Sequence, residues 1–350
     1  MQQHYRTRPG LTTKQFYVRG NIYPDNPIGV IVLYIAILCC LSTGCATSRL
    51  SRKNQEKLSG KTFVITGASS GFGKGVALQL GKYHSNVVLA ARRTELLEEV
   101  ATAIRTAGGS ALVVTTDVSK PEDILHLCDT AVKHFGKVDV WVNNAGVASI
   151  GRFWDIPMEE HERVIDVNLK GVFYGSYSAI KLFRSQGYGT LINMGSVESE
   201  VPVAYQSSYS ATKAGVRSLG EVLHQELRLS GDKNIRVVTI MPWAANTPFW
   251  QHLANHSGGT VSMLAMDKPD KIVNAILYAS LHRRRELPVG WKAHTAVGAH
   301  RLFPHFMEWA SAQIAHKYQY MAPPPQPPSS GNLFKPMQEG SGIEQNKQGK

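Results

Sequence analysis

Seven short runs rich in β-branched residues, each followed by a helix-like stretch, constrain this chain more than any other feature. "TFVIT" leads into 71–82, "NVVLAA" into 95–107, "ALVVTT" into 121–135 and "VDVWVNN" into a long helix over 160–184. "TLINM" leads into 209–230, "RVVTIM" into 269–283, and "ELPVG" closes the series. The runs are continuously apolar instead of alternating, as expected for strands covered on both faces. Strand–helix repeats at this spacing imply an α/β fold, a Rossmann-type doubly wound parallel sheet in a single domain. That domain is expected over 58–321.

The flanking regions read differently. Residues 1–27 form a polar arm without periodicity, and 28–48 are uncharged, with a dense apolar run of 14 residues over 28–41. That run is short for a bilayer span of about 20 residues. It fits either a hydrophobic anchor or a signal segment. "LSTGCAT" resembles the lipid-attachment box of bacterial lipoproteins, with Cys45 as the modified residue. Arg49, Arg52, Lys53 and Lys57 follow the run, so the positive-inside rule expects a membrane-bound chain with its domain in the cytosol. The net charge of +12 invites a nucleic-acid reading, but half of it lies in the first 57 residues and no helix of the domain is a basic stripe. Nucleic acid is therefore not expected as a partner. Of four cysteines three lie in 39–45, which leaves neither a disulfide framework nor a zinc spacing. Residues 322–350, rich in Pro, Gly, Ser and Gln, are expected to be a disordered tail.

Two motifs point to a dinucleotide. "TGASSGFG" follows the first strand, and glycines there let backbone N–H groups and a helix N-terminus approach a pyrophosphate. Arg92 and Arg93 end the second strand, where a carboxylate would hold the ribose 2′-hydroxyl of NAD. A guanidinium fork suits a 2′-phosphate, so NADP(H) is the expected cofactor.

With these residues in place the chain resembles the short-chain dehydrogenases/reductases, in their common single-domain branch, over roughly 58–290. Gly67, Ser69, Ser70, Gly71, Phe72 and Gly73 match the family's cofactor turn. Asp117 and Val118 match the pair along the adenine, and Asn143, Asn144, Ala145 and Gly146 match the "NNAG" ending the fourth strand. Pro242 and Thr247 match the segment at the nicotinamide. Asn168, Ser196, Tyr209 and Lys213 match the catalytic tetrad. Tyr209 and Lys213 stand four apart, on one face of a helix.

The resemblance implies an NADP(H)-dependent interconversion of an alcohol and a carbonyl. Tyr209 would be the general acid/base and Lys213 would lower its pKa and hold the nicotinamide ribose. Ser196 would polarise the carbonyl and Asn168 would hold a relay water. It also implies a homodimer or homotetramer built on the helices of Asn168 and Tyr209. The alternatives are a nucleotide-sensing module without turnover and a membrane-tethered interaction protein.

Departures from the family pattern bear on the substrate. Trp243 stands where glycine is usual and is expected near the nicotinamide or the substrate mouth. Residues 244–266 form a flap whose Phe249 and Trp250 suit a small apolar alcohol or carbonyl. His252 and His256 are expected to be solvated. Leu302, Phe303, Phe306 and Trp309 recur at helical spacing and are expected to pack on the core.

Overall fold

The computed structural model describes residues 49–263 and 265–345, all within one compact unit. The candidate anchor at 28–48, Cys45 and the arm at 1–27 lie outside the described residues. Among the described residues no helix is long and apolar enough to cross a membrane.

All seven expected strands form: β1 (Thr62–Thr66), β2 (Asn86–Ala91), β3 (Ser110–Thr115), β4 (Val140–Asn143), β6 (Gly189–Met194), β7 (Ile235–Pro242) and β9 (Glu286–Val289). They pair in parallel in the order β3-β2-β1-β4-β6-β7-β9. Every residue of β1 and β6 is buried, which is why these strands read as unbroken apolar runs. Alternate side chains divide between two cores. Phe63 and Ile65 join helices α1 (Gly71–Lys82), α2 (Thr94–Thr106) and α7 (Pro269–Leu281). Val64 points the other way, toward α3 (Pro121–Phe135), α4 (Met158–Ile165), α5 (Gly171–Gln186) and α6 (Ser207–Leu229). Each fully buried side chain of this kind contributes about 1.5–3 kcal/mol. Two short strands, β5 (Ser149–Ile150) and β8 (Ala254–Asn255), pair beside the sheet and fasten the flap to the segment after β4.

Three expectations are corrected. The long helix over 160–184 is two helices joined by a π turn at Asp166–Lys170, and that turn carries Asn168. Such one-residue expansions recur at functional sites. Second, the helices after β9, α8 (Gly290–Leu302) and α9 (Pro304–Gln319), turn the opposite face inward. Leu302, Phe303, Phe306 and Trp309 are 46–62% exposed, whereas Ala315 and Gln319 are buried. The third concerns the tail. Residues 322–345 hold little regular structure yet pack along the domain, with Ser329 bridged to Asn255 and Leu333 fully buried in the core that contains Val64.

Candidate active site

The C-terminal ends of β1, β2, β4, β6 and β7 open onto one cavity of about 310 Å³. A cleft at this edge is where a doubly wound sheet leaves room for a ligand. The turn after β1 is shaped by glycines for stated reasons. Gly67 and Gly71 adopt φ +68° and +56°, in the left-handed region. A Cβ on Gly73 would meet the carbonyl oxygen of Gly67 and the side chain of Asn144. Asn144 locks the turn to β4, donating from Nδ2 to the carbonyls of Thr66 and Gly67 at 2.9 and 3.2 Å. Ser69, Ser70, Phe72, Val118, Ala145 and Gly146 line the same cavity.

The arginine turn sits at one end. Arg93 is buried and donates to Ser69 Oγ and Ser70 Oγ, the latter at 2.8 Å. Arg163, from α4, pairs with Asp117 at 2.8 Å. Burial pushes the Asp117 carboxyl up, but the Arg163 and Ser119 hydrogen bonds together outweigh it and hold the pKa below the ordinary range. Both Arg92 and Arg93 have lowered pKa values, first through burial, then through repulsion from Arg163 and Arg92 respectively. Arg92, Arg93 and Arg163 thus gather at this end, and of the three only Arg163 forms an ion pair with a carboxylate, which leaves a surplus of positive charge. Asp117 and Val118, expected along an adenine, border this end, with the Asp117 side chain already engaged by Arg163.

At the other end stand Ser196, just after β6, and Tyr209 and Lys213 on α6. Ser196 Oγ accepts from the Glu198 N–H at 3.1 Å and stands near enough to the Tyr209 phenol to oppose the rise of its pKa. The Lys213 Nζ lies 5.4 Å from the Tyr209 ring centre and donates to the Met194 carbonyl at 2.7 Å. Asn168 is fully buried, and its amide holds both the N–H and the carbonyl of Val147 at 2.9 and 2.8 Å. It does not line the cavity wall. Asn168 Oδ1 and Lys213 Nζ instead approach Gly146 together, a glycine whose Cβ would lie 3.5 and 3.8 Å from them. Pro242 ends β7 and Thr247, buried, caps the flap's 3₁₀ turn.

Electrostatics in this corner differ from the expectation that Lys213 lowers the phenol pKa. The Tyr209 pKa is raised, first by burial and next by the Glu198 carboxyl, with the Ser196 hydrogen bond opposing. Burial brings the Lys213 ammonium down to about 8, against the pull of Glu198. Desolvation therefore dominates over the neighbouring charges, and the phenol is fully protonated at neutral pH.

Glu198 was not expected. Its carboxyl accepts from Ser210 Oγ at 2.6 Å, and burial pushes its pKa up to about 8. The only sequence signal is an acidic residue two positions after Ser196. The folded chain holds this proton more tightly than an unfolded one. Glu198 therefore contributes stability that is fully present below the ordinary carboxyl range and is lost as pH rises through about 8. Glu198→Gln should flatten that loss in melting experiments. It should also move the alkaline limb of alcohol oxidation down by about one pH unit, since a carboxylate would no longer oppose the phenolate. An unchanged pH profile would show that Glu198 is electrically silent toward Tyr209.

Beyond Tyr209 the walls are apolar. Val201, Val203, Trp243, Phe249, Met307 and Ile314 line the cavity. Phe249 lies 5.9 Å from the Tyr209 ring. A buried amide pair, Gln206 Nε2 to Gln319 Oε1 at 3.0 Å, is the polar feature of the far wall. The flap histidines are occupied elsewhere: His256 with Glu160 at 2.9 Å, and His252 with the Glu339 carbonyl at 2.9 Å. His252 is buried, which corrects the expectation that it is solvated.

Comparison with known proteins adds relatives to this geometry. The short chain dehydrogenase profile matches residues 61–258. The uncharacterized oxidoreductase YxnA of Bacillus subtilis (strain 168) is 32% identical over 284 residues, 80% of this chain and 79% of its own length. The 3beta-hydroxysteroid dehydrogenase 1 of Eggerthella lenta is 43% identical over 195 residues, 55% of this chain and 74% of its own. Among solved structures, a short-chain type dehydrogenase/reductase from Mycobacterium marinum superposes with a TM-score of 0.58 at 30% identity, covering 67% of this chain and 96% of that one. An alcohol dehydrogenase from the archaeon Thermococcus sibiricus, complexed with 5-hydroxy-NADP, gives 0.57 at 28%, covering 65% and 94%.

Proposed function

Since the chain belongs to the short-chain dehydrogenase family and is an oxidoreductase, we propose that it uses NADP(H) to interconvert a bulky apolar alcohol and its ketone. The carrying observation is one cavity with surplus positive charge at one end and Ser196, Tyr209 and Lys213 at the other. The residues fit such a cofactor. A side chain on Gly73 would collide with the turn that must approach the pyrophosphate, and Arg92, Arg93 and Arg163 exceed the carboxylate available to them. The nicotinamide, when bound, supplies or accepts the hydride.

The chain's own residues supply orientation and a proton. In reduction the Ser196 hydroxyl donates to the carbonyl oxygen, and Tyr209 transfers its phenolic proton to that oxygen as charge builds there. A phenol whose pKa is raised by burial holds its proton at neutral pH, the form that reduction requires. In oxidation the same phenolate takes the proton back. Lys213, anchored on the Met194 carbonyl with its Nζ 5.4 Å from the phenol ring centre, would hold the nicotinamide ribose. Asn168 fixes the backbone of Val147, so the wall between Gly146 and Lys213 keeps its shape.

The apolar walls from Val201 to Ile314 support a ring system or a branched chain rather than a small polar metabolite. The relative named for a hydroxysteroid activity supports including polycyclic ketones among the candidates. A panel of linear, aromatic and polycyclic ketones, followed by NADPH oxidation, tests this. Turnover should rise with apolar bulk, and activity confined to small hydrophilic carbonyls would contradict it. Assembly as a homodimer or homotetramer is part of the same proposal, supported by the exposed Phe173 and Tyr177 on α5. Light scattering at the monomer mass across micromolar concentrations would contradict it.

A further inference from the structure

The segment 329–345 lies across the donors that the proposed function assigns to the cofactor. It enters through a two-residue antiparallel pairing of Ser329 with Asn255 and seats Leu333, wholly buried, beneath α4 and β2. Its main-chain oxygens then take up the arginine turn. Arg92 donates to the carbonyls of Asn332 and Leu333 at 2.7 and 3.1 Å, and Arg163 donates to Leu333 at 2.9 Å. Arg93 donates to the Met337 carbonyl at 2.8 Å. Further along, the carbonyl of Gly342 accepts from the Gly71 N–H at 2.9 Å, at the start of α1, and that of Ser341 accepts from Lys74 Nζ at 2.9 Å. The segment finishes against the flap, where the Gln345 N–H meets the Asn246 carbonyl.

These contacts share a chemistry. Every acceptor the segment offers to Arg92, Arg93, Lys74 and Gly71 is a neutral carbonyl, and those four donors are ones that would suit a phosphate. With its remaining N–H groups turned to Ser69 and Ser70, Arg93 has no free donor left. The neutral acceptors satisfy these groups but do not neutralise their charge. Phosphate oxygens add ion pairing and bidentate geometry to the hydrogen bonds that neutral carbonyls make with these cations, so a phosphorylated nucleotide can displace the segment.

We propose that residues 329–345 are an internal competitor for the cofactor cleft, a strap whose backbone holds the 2′-phosphate and pyrophosphate donors until NADPH displaces it. The proposal rests on the reading of Arg92 and Arg93 as 2′-phosphate ligands. The apparent affinity for nucleotide is then the intrinsic affinity reduced by the fraction of molecules with the strap open. The strap also explains how buried guanidiniums are tolerated in the nucleotide-free protein.

Hydrogen–deuterium exchange on the full, unaltered chain reads the strap directly. NADPH should speed exchange of amides in 329–345, including Asn332 and Gln345, whose N–H groups bond the flap carbonyls of His252 and Asn246. Leu333→Asp in the full chain removes the apolar anchor and should tighten NADPH binding by at least about tenfold. Slower exchange with NADPH, or weaker NADPH binding by Leu333→Asp in a protein that still melts cooperatively, would make the strap a lid and overturn the proposal. No change in either measurement would also overturn it. The same titrations with NADH separate the two ideas. Tight NADH binding that displaces the strap, with no preference for NADPH, would leave the competitor standing and remove the 2′-phosphate reading. Binding of neither nucleotide by the wild type or by Leu333→Asp would end both.

Discussion

Tyr209→Phe should lower turnover by at least about 100-fold while leaving NADPH binding nearly unchanged. The substitution keeps the ring, and with it the packing against Phe249 and Lys213, so the cleft retains its shape. What is lost is the proton that must reach the carbonyl oxygen as hydride arrives. Ser196 cannot replace it, because a serine hydroxyl polarises the oxygen without giving up its proton at neutral pH. The effect should therefore fall on kcat and kcat/KM together, with KM for NADPH within about threefold of wild type. Steady-state kinetics with a ketone from the panel and nucleotide titration make the comparison. Retention of more than a tenth of the activity would remove Tyr209 from the proton transfer.

Arg92→Ala together with Arg93→Ala should weaken NADPH binding by about 100-fold and NADH binding far less. Charge-assisted hydrogen bonds contribute about 1.5–3 kcal/mol each, and only NADPH carries the 2′-phosphate that would receive them. Two complications favour reading the ratio of the two affinities. Arg93 also braces Ser69 and Ser70 in the glycine turn, so its loss costs both nucleotides something. Both arginines also hold the 329–345 strap, so their removal frees the cleft for either nucleotide. Arg92→Ala alone, whose side-chain hydrogen bonds all go to strap carbonyls, gives the cleaner comparison. Equal losses for NADPH and NADH would contradict a 2′-phosphate role.

What the sequence made legible and what it hid divide along physical lines. The sheet was readable because strands buried on both faces must be continuously apolar, and β1 and β6 are buried along their whole length. The glycine turn after β1 was readable as a tight turn because Gly67 and Gly71 take positive φ and Gly73 has a carbonyl where its Cβ would stand. Asn168, Ser196, Tyr209 and Lys213 were identified by order and spacing, and the fold brings the last three to one end of the cavity, with Asn168 behind its wall. Glu198 was hidden because its raised pKa comes from burial beside Ser210, a partner twelve residues away in the chain.

The tail was misread for a different reason. A strap that binds through main-chain carbonyls needs no side-chain pattern and only one apolar anchor, Leu333, so its composition mimics that of a disordered segment. Around the start of α9 the spacing of Phe303, Phe306 and Trp309 is that of an amphipathic face, but that face is the exposed one. The inward face carries Met307, Ala310, Ala315 and Gln319, which leave room beside Tyr209.

The central claim is that hydride passes between NADPH and a carbonyl carbon held against Tyr209. Incubating the enzyme with NADPH deuterated at the transferring position of the nicotinamide, and a ketone from the panel, tests that claim most directly. Mass spectrometry of the product should find one deuterium on the carbinol carbon, with at least about 100-fold less of that product when Tyr209→Phe is used over the same interval. An alcohol free of deuterium, or a panel from which no alcohol forms while the folded protein binds NADPH, would contradict it.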